Sequence, residues 1–192
     1  SLIIREGRVT GVMCGDEQID AAAVVLATGH SARDIYHMLY DCGVRLEAKP
    51  FAMGVRIEHP QALIDSIQYH MPSRGEYLPA ASYSLATQQC GRGVYSFCMC
   101  PGGYVVAAAS EEGGVVTNGM SDHARDGENA NAALLVTLNP ADFPDRSPLG
   151  GMYWQRQLEQ TAFRAGGSNY RAPAQLVGDF LARRPSQTLG GV

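Results

Sequence analysis

Two cysteines one residue apart, Cys98-Met-Cys100, run straight into Pro101-Gly-Gly103. A C-x-C pair can serve as a redox couple, as half of a metal site, or as thiols poised beside a reactive cofactor. Regular strand alternation would turn both side chains to one face, where they could line one pocket. A four-coordinate zinc would need two more ligands, and no matching Cys or His pair stands nearby, so no metal is assigned. The plain alternative is two small buried residues ahead of a turn. Arg56, Glu58 and His59 form a second cluster. Arg56 and Glu58 share a strand face, and His59 precedes Pro60 at a helix start. They could bind a polar substrate and orient it for proton transfer, or form an ion pair at a domain edge. Cys98, Cys100, His59 and Arg56 are the catalytic candidates. A polar loop, Ser121–Asp126 followed by Asn129 and Asn131, offers His123 and Arg125 to an anionic substrate, or is simply solvated.

The elements that position these residues start with short strands. Leu2–Arg5, Arg8–Met13 and Gln18–Asp20 alternate around turns at Glu6-Gly7 and Gly15-Asp16. Ala21–Leu26 is a continuous apolar run of the kind that forms a strand buried on both faces. It ends in Thr28-Gly29 and turns into a helix. Ser31 is placed to cap that helix with Asp34 three residues on, Ile35, Met38, Leu39 and Cys42 share one face, and Gly43 stops it. Gly29 lets a flat or anionic ligand approach the backbone, and the helix start offers free N–H groups. An ordinary tight turn would look the same.

Further on, Phe51–Glu58 alternates as a strand. Pro60 begins a short helix with Leu63, Ile64 and Ile67 inward, and residues 71–82 read as loop. Strands are expected at Tyr83–Thr87, Val94–Met99, Tyr104–Ala109, Val115–Thr117 and Ala133–Leu138, with Gly-rich turns between them. Helices are expected at Gly151–Arg164 and Pro173–Arg183, and Tyr153, Trp154 and Phe163 read as packing residues. The fold class is α+β, a mixed or antiparallel sheet with flanking helices. Residues 1–45 form a strand–helix unit and residues 46–192 a second domain.

The net charge of −4 argues against a general nucleic-acid binder, which needs a basic face. No apolar run approaches the length that spans a bilayer. Five sparse cysteines do not read as a disulfide framework, so a reducing, cytoplasmic setting is expected. The expected partner is a small-molecule substrate. Both ends read as cuts within a longer chain, although a processed terminus would look the same, and surfaces bared there could self-associate.

Arg8–Val12 and Ile19–Gly29, taken in order, resemble the Ala-Thr-Gly segment of two-dinucleotide-binding-domain flavoproteins. In those proteins a β-meander leads to a strand whose Ala-Thr-Gly end passes beside the FAD. Ala27–Asp34, Met53–Pro60, Tyr95–Gly103 and Thr117–Ser121 together resemble the bacterial family of uncharacterised FAD-dependent, or NAD(FAD)-utilising, dehydrogenases. The resemblance implies that Ala27, Thr28 and Gly29 face FAD, with His30 and Ser31 at the helix start as further cofactor-binding candidates and NAD(P)H as a candidate electron partner. On the reading of the residues themselves, Arg33, Arg56, Glu58, His123 and Arg125 are candidates for holding substrate. The resemblance also implies that the chain is the middle, substrate-side part of a dehydrogenase of unassigned substrate, inactive alone. A non-catalytic binding module and a thiol or metal site at Cys98 and Cys100 are the alternatives. The G-x-G-x-x-G fingerprint that seats a pyrophosphate does not occur, so the chain alone should bind FAD poorly.

Overall fold

The computed structural model describes residues 1–189. Residues 190–192 lie outside the described residues. The fold is α+β, and every paired strand is antiparallel. No helix among the described residues is long and apolar enough to cross a membrane. The chain divides into two compact units. The first is Ser1–Lys49 with Phe143–Trp154; the second is Pro50–Asp142 with the chain from Gln155 onward.

The first unit opens with a meander of β1 (Leu2–Arg5), β2 (Arg8–Cys14) and β3 (Glu17–Asp20), with β2 central. The two-residue turns fall where the glycines were read. The apolar run Ala21–Leu26 does not form the doubly buried strand expected of it. It has no strand partner among the described residues, and Val25 is 88% exposed. A strand needs a neighbour's N–H and C=O groups, and apolar side chains alone do not supply them. Helix α1 spans Arg33–Asp41. Ser31 does not cap it: the N-cap is Ala32, without a side-chain hydrogen bond, and the Ser31 carbonyl accepts the Arg33 N–H instead (2.9 Å). Asp34 in the first turn still complements the helix dipole. The end is as read. Val44 N–H reaches the Leu39 carbonyl and Gly43 N–H the Tyr40 carbonyl (both 3.0 Å), the paired bonds of a Schellman motif. Phe143 and Leu149 are this unit's buried apolar residues, and Phe143 meets Trp154 edge-on with ring centroids 6.0 Å apart.

The second unit holds β4 (Phe51–Pro60), α2 (Gln61–Tyr69), β5 (Ala86–Gln89), β6 (Arg92–Cys100), β7 (Gly103–Ala107), β8 (Thr117–Ser121) and β9 (Asn129–Leu138). The four-stranded sheet runs β4-β9-β6-β5, and β7 and β8 form a separate hairpin. Ten residues of β4 pair with β9, from Phe51 opposite Leu138 to Pro60 opposite Asn129. β9 thus starts four residues before the expected Ala133, and Asn129 and Asn131 lie on this strand rather than in a polar loop. β8 lies after the expected Val115–Thr117, sharing only Thr117, and β5 starts later than Tyr83. α3 (Gly150–Ala165) begins in the first unit and stops at Gly166-Gly167. α4 is only Val177–Leu181, not Pro173–Arg183. Leu176 is extended, and its N–H goes to Ser186 Oγ (2.9 Å), which draws the chain away from a longer helix. Arg92 on β6 forks onto Asp142 with two bonds of 2.6 Å, fixing the short 3-10 turn Pro140–Asp142 to the sheet.

Helix α2 departs from its expected inner face. Pro60 is its N-cap, Leu63 and Ile67 are about half exposed, and the buried residues are Gln61, Ile64 and Asp65. The two polar groups form a closed network. Asp65 Oδ1 accepts the Ala81 N–H (2.9 Å) and Gln61 Nε2 (2.7 Å), while Oδ2 accepts Arg74 Nη1 (3.1 Å). Gln61 Nε2 also donates to the Ala81 carbonyl (3.0 Å), and its Oε1 accepts the Gly102 N–H (2.7 Å). The helix therefore holds the turn at Pro101-Gly-Gly103.

Candidate functional site

That turn is fixed from every side. Ser121 Oγ donates to the Pro101 carbonyl (2.8 Å) and Gly127 N–H to the Gly102 carbonyl (3.2 Å). A Cβ on Gly102 would run into the Arg125 carbonyl, and one on Gly103 into the Met120 carbonyl. The double glycine is a packing requirement, and it sets the position of Cys100 just before it.

Upstream, the ladder between β6 and β9 slips. Phe97 pairs with Ala133 and Cys100 with Asn131, so Cys98 and Met99 together oppose Ala132. This is a β-bulge whose first residue, Cys98, has φ +48, a position usually given to glycine. The extra residue overturns the expectation that both thiols face one pocket. Cys98 is exposed and Cys100 is 7% exposed, because a one-residue slip breaks the alternation of faces.

Arg56 fills the space the bulge creates. From β4 its Nη1 donates to the Cys98 carbonyl (3.3 Å) and to Asn131 Oδ1 (2.5 Å), and Nη2 donates to Asn118 Oδ1 on β8 (3.3 Å). A Cβ on Gly119 would overlap Arg56 Nη1, Asn131 Oδ1 and Cys100 Sγ together, so these three atoms converge where that glycine has no side chain. Asn131 is 0% exposed, and its Nδ2 has no acceptor. Burial pushes the Cys100 thiol up from its ordinary value, the adjoining Cys98 adds to this, and the Arg56 charge opposes it. Cys100 is therefore a neutral thiol at neutral pH. A group whose folded value lies above its unfolded one stabilises the fold while protonated. That contribution is present below the ordinary thiol value of 9.0 and is lost as pH rises through the raised one. Urea midpoints should accordingly fall as pH rises above 9.0 by more in the parent than in Cys100→Ala. An equal fall in both would refute the assignment.

The other sequence candidates fall elsewhere. Glu58 is exposed on β4 and accepts Asn129 Nδ2 (2.9 Å), so Arg56 and Glu58 share a strand face without forming an ion pair. Alternation along β4 turns His59 to the opposite face from Arg56. There His59 Nε2 bonds the Tyr83 hydroxyl at 2.9 Å, while Nδ1 is buried without a partner. Burial raises the Tyr83 phenol, against the Arg56 charge. His123 and Arg125 stand exposed after β8. Among the described residues no group of three His, Cys, Asp or Glu side chains could hold a metal ion. Sequence reasoning did not single out Asn118, Gly119, Tyr83, Gln61 or Asp65. Asn131, read with Asn129 as part of a polar loop, had one available signal, its place between Ala130 and Ala132 at the start of an apolar run.

Ala27–Ser31 belong to the first unit, where all five are exposed and Arg33 is half-buried. Gly29 has φ +81 with open space where a Cβ would stand, so a flat ligand could meet this backbone. FAD also needs a pyrophosphate cradle, a glycine-rich turn leading from a strand into a helix N-terminus. Among the described residues the segment through Gly29 approaches that form, but Ala21–Leu26 before it forms no strand, its Ala21 N–H alone reaching β2 at the Thr10 carbonyl (2.9 Å). The described residues do not make an FAD site by themselves.

A family model described as FAD-dependent protein, C-terminal domain-like, matches residues 50–192, starting where the second unit starts. An uncharacterized protein of Clostridium beijerinckii (strain ATCC 51743 / NCIMB 8052) is 55% identical over 190 residues, which is 98% of this chain and 36% of that protein. The chain thus spans little more than a third of that relative's length. With the match covering the whole unit that carries the Arg56 cluster, the chain belongs to the FAD-dependent protein C-terminal domain-like family.

Proposed function

We infer that this chain is the substrate-side part of an FAD-dependent oxidoreductase, of the dehydrogenase type, acting on a small molecule. The observation that carries this reading is the Arg56 cluster: a guanidinium fixed by three neutral oxygens, beside a buried thiol, inside the unit matched by a flavoprotein family. A fixed charge of this kind binds and orients a polar substrate without moving during reaction. The unit would contribute binding and orientation, and the redox chemistry would belong to the flavin. The dinucleotide cradle is assigned to other parts of the longer protein, as the 36% coverage of the relative allows.

Two measurements test this. The longer protein, gently purified, should show flavin absorbance that bleaches anaerobically on addition of NADH, NADPH or substrate. A colourless protein that takes up no added FAD would end the reading, and flavin unreduced by either nucleotide would remove NAD(P)H from it. The 192-residue chain alone should show no saturable FAD binding in the micromolar range, which corresponds to about −8 kcal/mol. Tight binding would mean that the flavin site lies within these residues.

A further inference from the structure

We propose that the Arg56–Asn131 cluster is a binding site for the carboxylate group of a small organic ligand. This deepens the oxidoreductase reading and rests on it for the wider reaction; the binding itself needs no flavin. A guanidinium has five N–H donors in a planar fork. Three are engaged, by the Cys98 carbonyl, Asn131 Oδ1 and Asn118 Oδ1, which leaves two. No carboxylate lies within ion-pair distance of Arg56 among the described residues, so its charge is uncompensated. The second observation is independent. Asn131 is 0% exposed and its Nδ2 lacks an acceptor, and buried amide donors in folded proteins nearly always have one. An acceptor-only ligand supplies what the guanidinium lacks, and it reaches Asn131 Nδ2, which has no accessible surface, only with a local shift of the side chains that cover it.

Charge and shape select a carboxylate over other anions. The oxygens that hold Arg56 are neutral, so the cluster carries one positive charge, matched by one negative charge. Two remaining donors in one plane suit a planar pair of oxygens. A tetrahedral dianion would bring excess charge to a strand face that already carries Glu58, with no second cation in the cluster to balance it. Three strands, β6, β8 and β9, supply the oxygens that hold the guanidinium, so it is oriented before the ligand arrives.

The test uses the chain itself. Sodium acetate, sodium phosphate and sodium chloride are titrated at matched ionic strength, and backbone amide shifts are followed by NMR. Acetate should give saturable shifts at residues 56, 118, 119 and 131, with a dissociation constant on the order of 1 mM. Arg56→Met should weaken binding at least tenfold. Asn131→Asp places a carboxylate inside the cluster with little change of shape. It should keep the parent's spectrum elsewhere and also bind acetate at least tenfold more weakly. Absence of saturable acetate shifts, unchanged acetate binding in Asn131→Asp, or phosphate binding as tight as acetate would overturn the proposal. A colourless longer protein would leave this result standing, and a failed acetate titration would leave the flavin measurement standing.

Discussion

Asp65→Ala should lower the stability of the second unit by about 3–5 kcal/mol, a large share of the 5–15 kcal/mol that holds an ordinary domain. The expectation comes from what the carboxylate leaves behind. Asp65 is buried at 6% exposure, and its two oxygens satisfy the Ala81 N–H, the Gln61 amide and Arg74. Alanine leaves the Ala81 N–H without its acceptor, takes one of the two acceptors from the Gln61 amide, which keeps the Ala81 carbonyl, and removes the partner of the partly buried Arg74; a buried donor without an acceptor costs about 1–3 kcal/mol. The damage does not stop at α2. Gln61 also holds the Gly102 N–H, so a loosened Gln61 frees the turn that places Cys100. Asp65→Asn keeps the acceptor at Oδ1 for Ala81 and Gln61 but turns an NH2 donor toward Arg74 in place of Oδ2, so it loses the Arg74 contact alone and its cost should be smaller than that of alanine. Ser66→Ala, which removes an exposed bond to the Leu63 carbonyl, should stay within about 0.5 kcal/mol. Urea unfolding of the three variants measures this ordering, and a loss below about 1 kcal/mol for Asp65→Ala would show that the network is not what fixes the helix.

Asp65 also marks the limit of what the sequence discloses. Gln61 and Asp65 are spaced i, i+4, like any polar pair on a solvent face, while the apolar Leu63 and Ile67 look like the buried stripe. What reverses this lies far along the chain, at Ala81 and Gly102. The local features were legible because their causes are local. The turns at Glu6-Gly7 and Gly15-Asp16 set the first meander, and Gly43 ends α1 with bonds reaching back no further than Leu39. Ala21–Leu26 failed for the opposite reason: apolarity says a segment can be buried, not which strand it pairs with. The bulge at Cys98 failed because a period-two pattern carries no mark for one inserted residue. Arg56 was recognisable as a residue type, but its meaning depends on acceptors 42 to 75 residues away.

Gly119→Ala is the smallest change that should disable the Arg56 cluster. The glycine's backbone is not in the left-handed region, so alanine meets no conformational obstacle there, and the whole effect is one of space. The added methyl would occupy the point where Arg56 Nη1, Asn131 Oδ1 and Cys100 Sγ converge. Arg56 is the only long side chain of the three and must give way, losing its bonds to the Cys98 carbonyl, Asn131 and Asn118. Overpacking of this kind costs about 1–3 kcal/mol, a loss the fold can survive. The expected signature is therefore a protein that still folds, with its midpoint lowered by that amount and acetate binding weakened at least tenfold. Gly113→Ala is the matched control for a change elsewhere in the unit. It has open space where the Cβ would stand but φ +71, so it should cost about 1 kcal/mol through backbone strain and leave acetate binding intact. If Gly119→Ala kept both its midpoint and its acetate affinity, the convergence at Gly119 would have no energetic content. If Gly113→Ala weakened acetate equally, loss of binding would be a general consequence of lowered stability, and the cluster could no longer be credited with it.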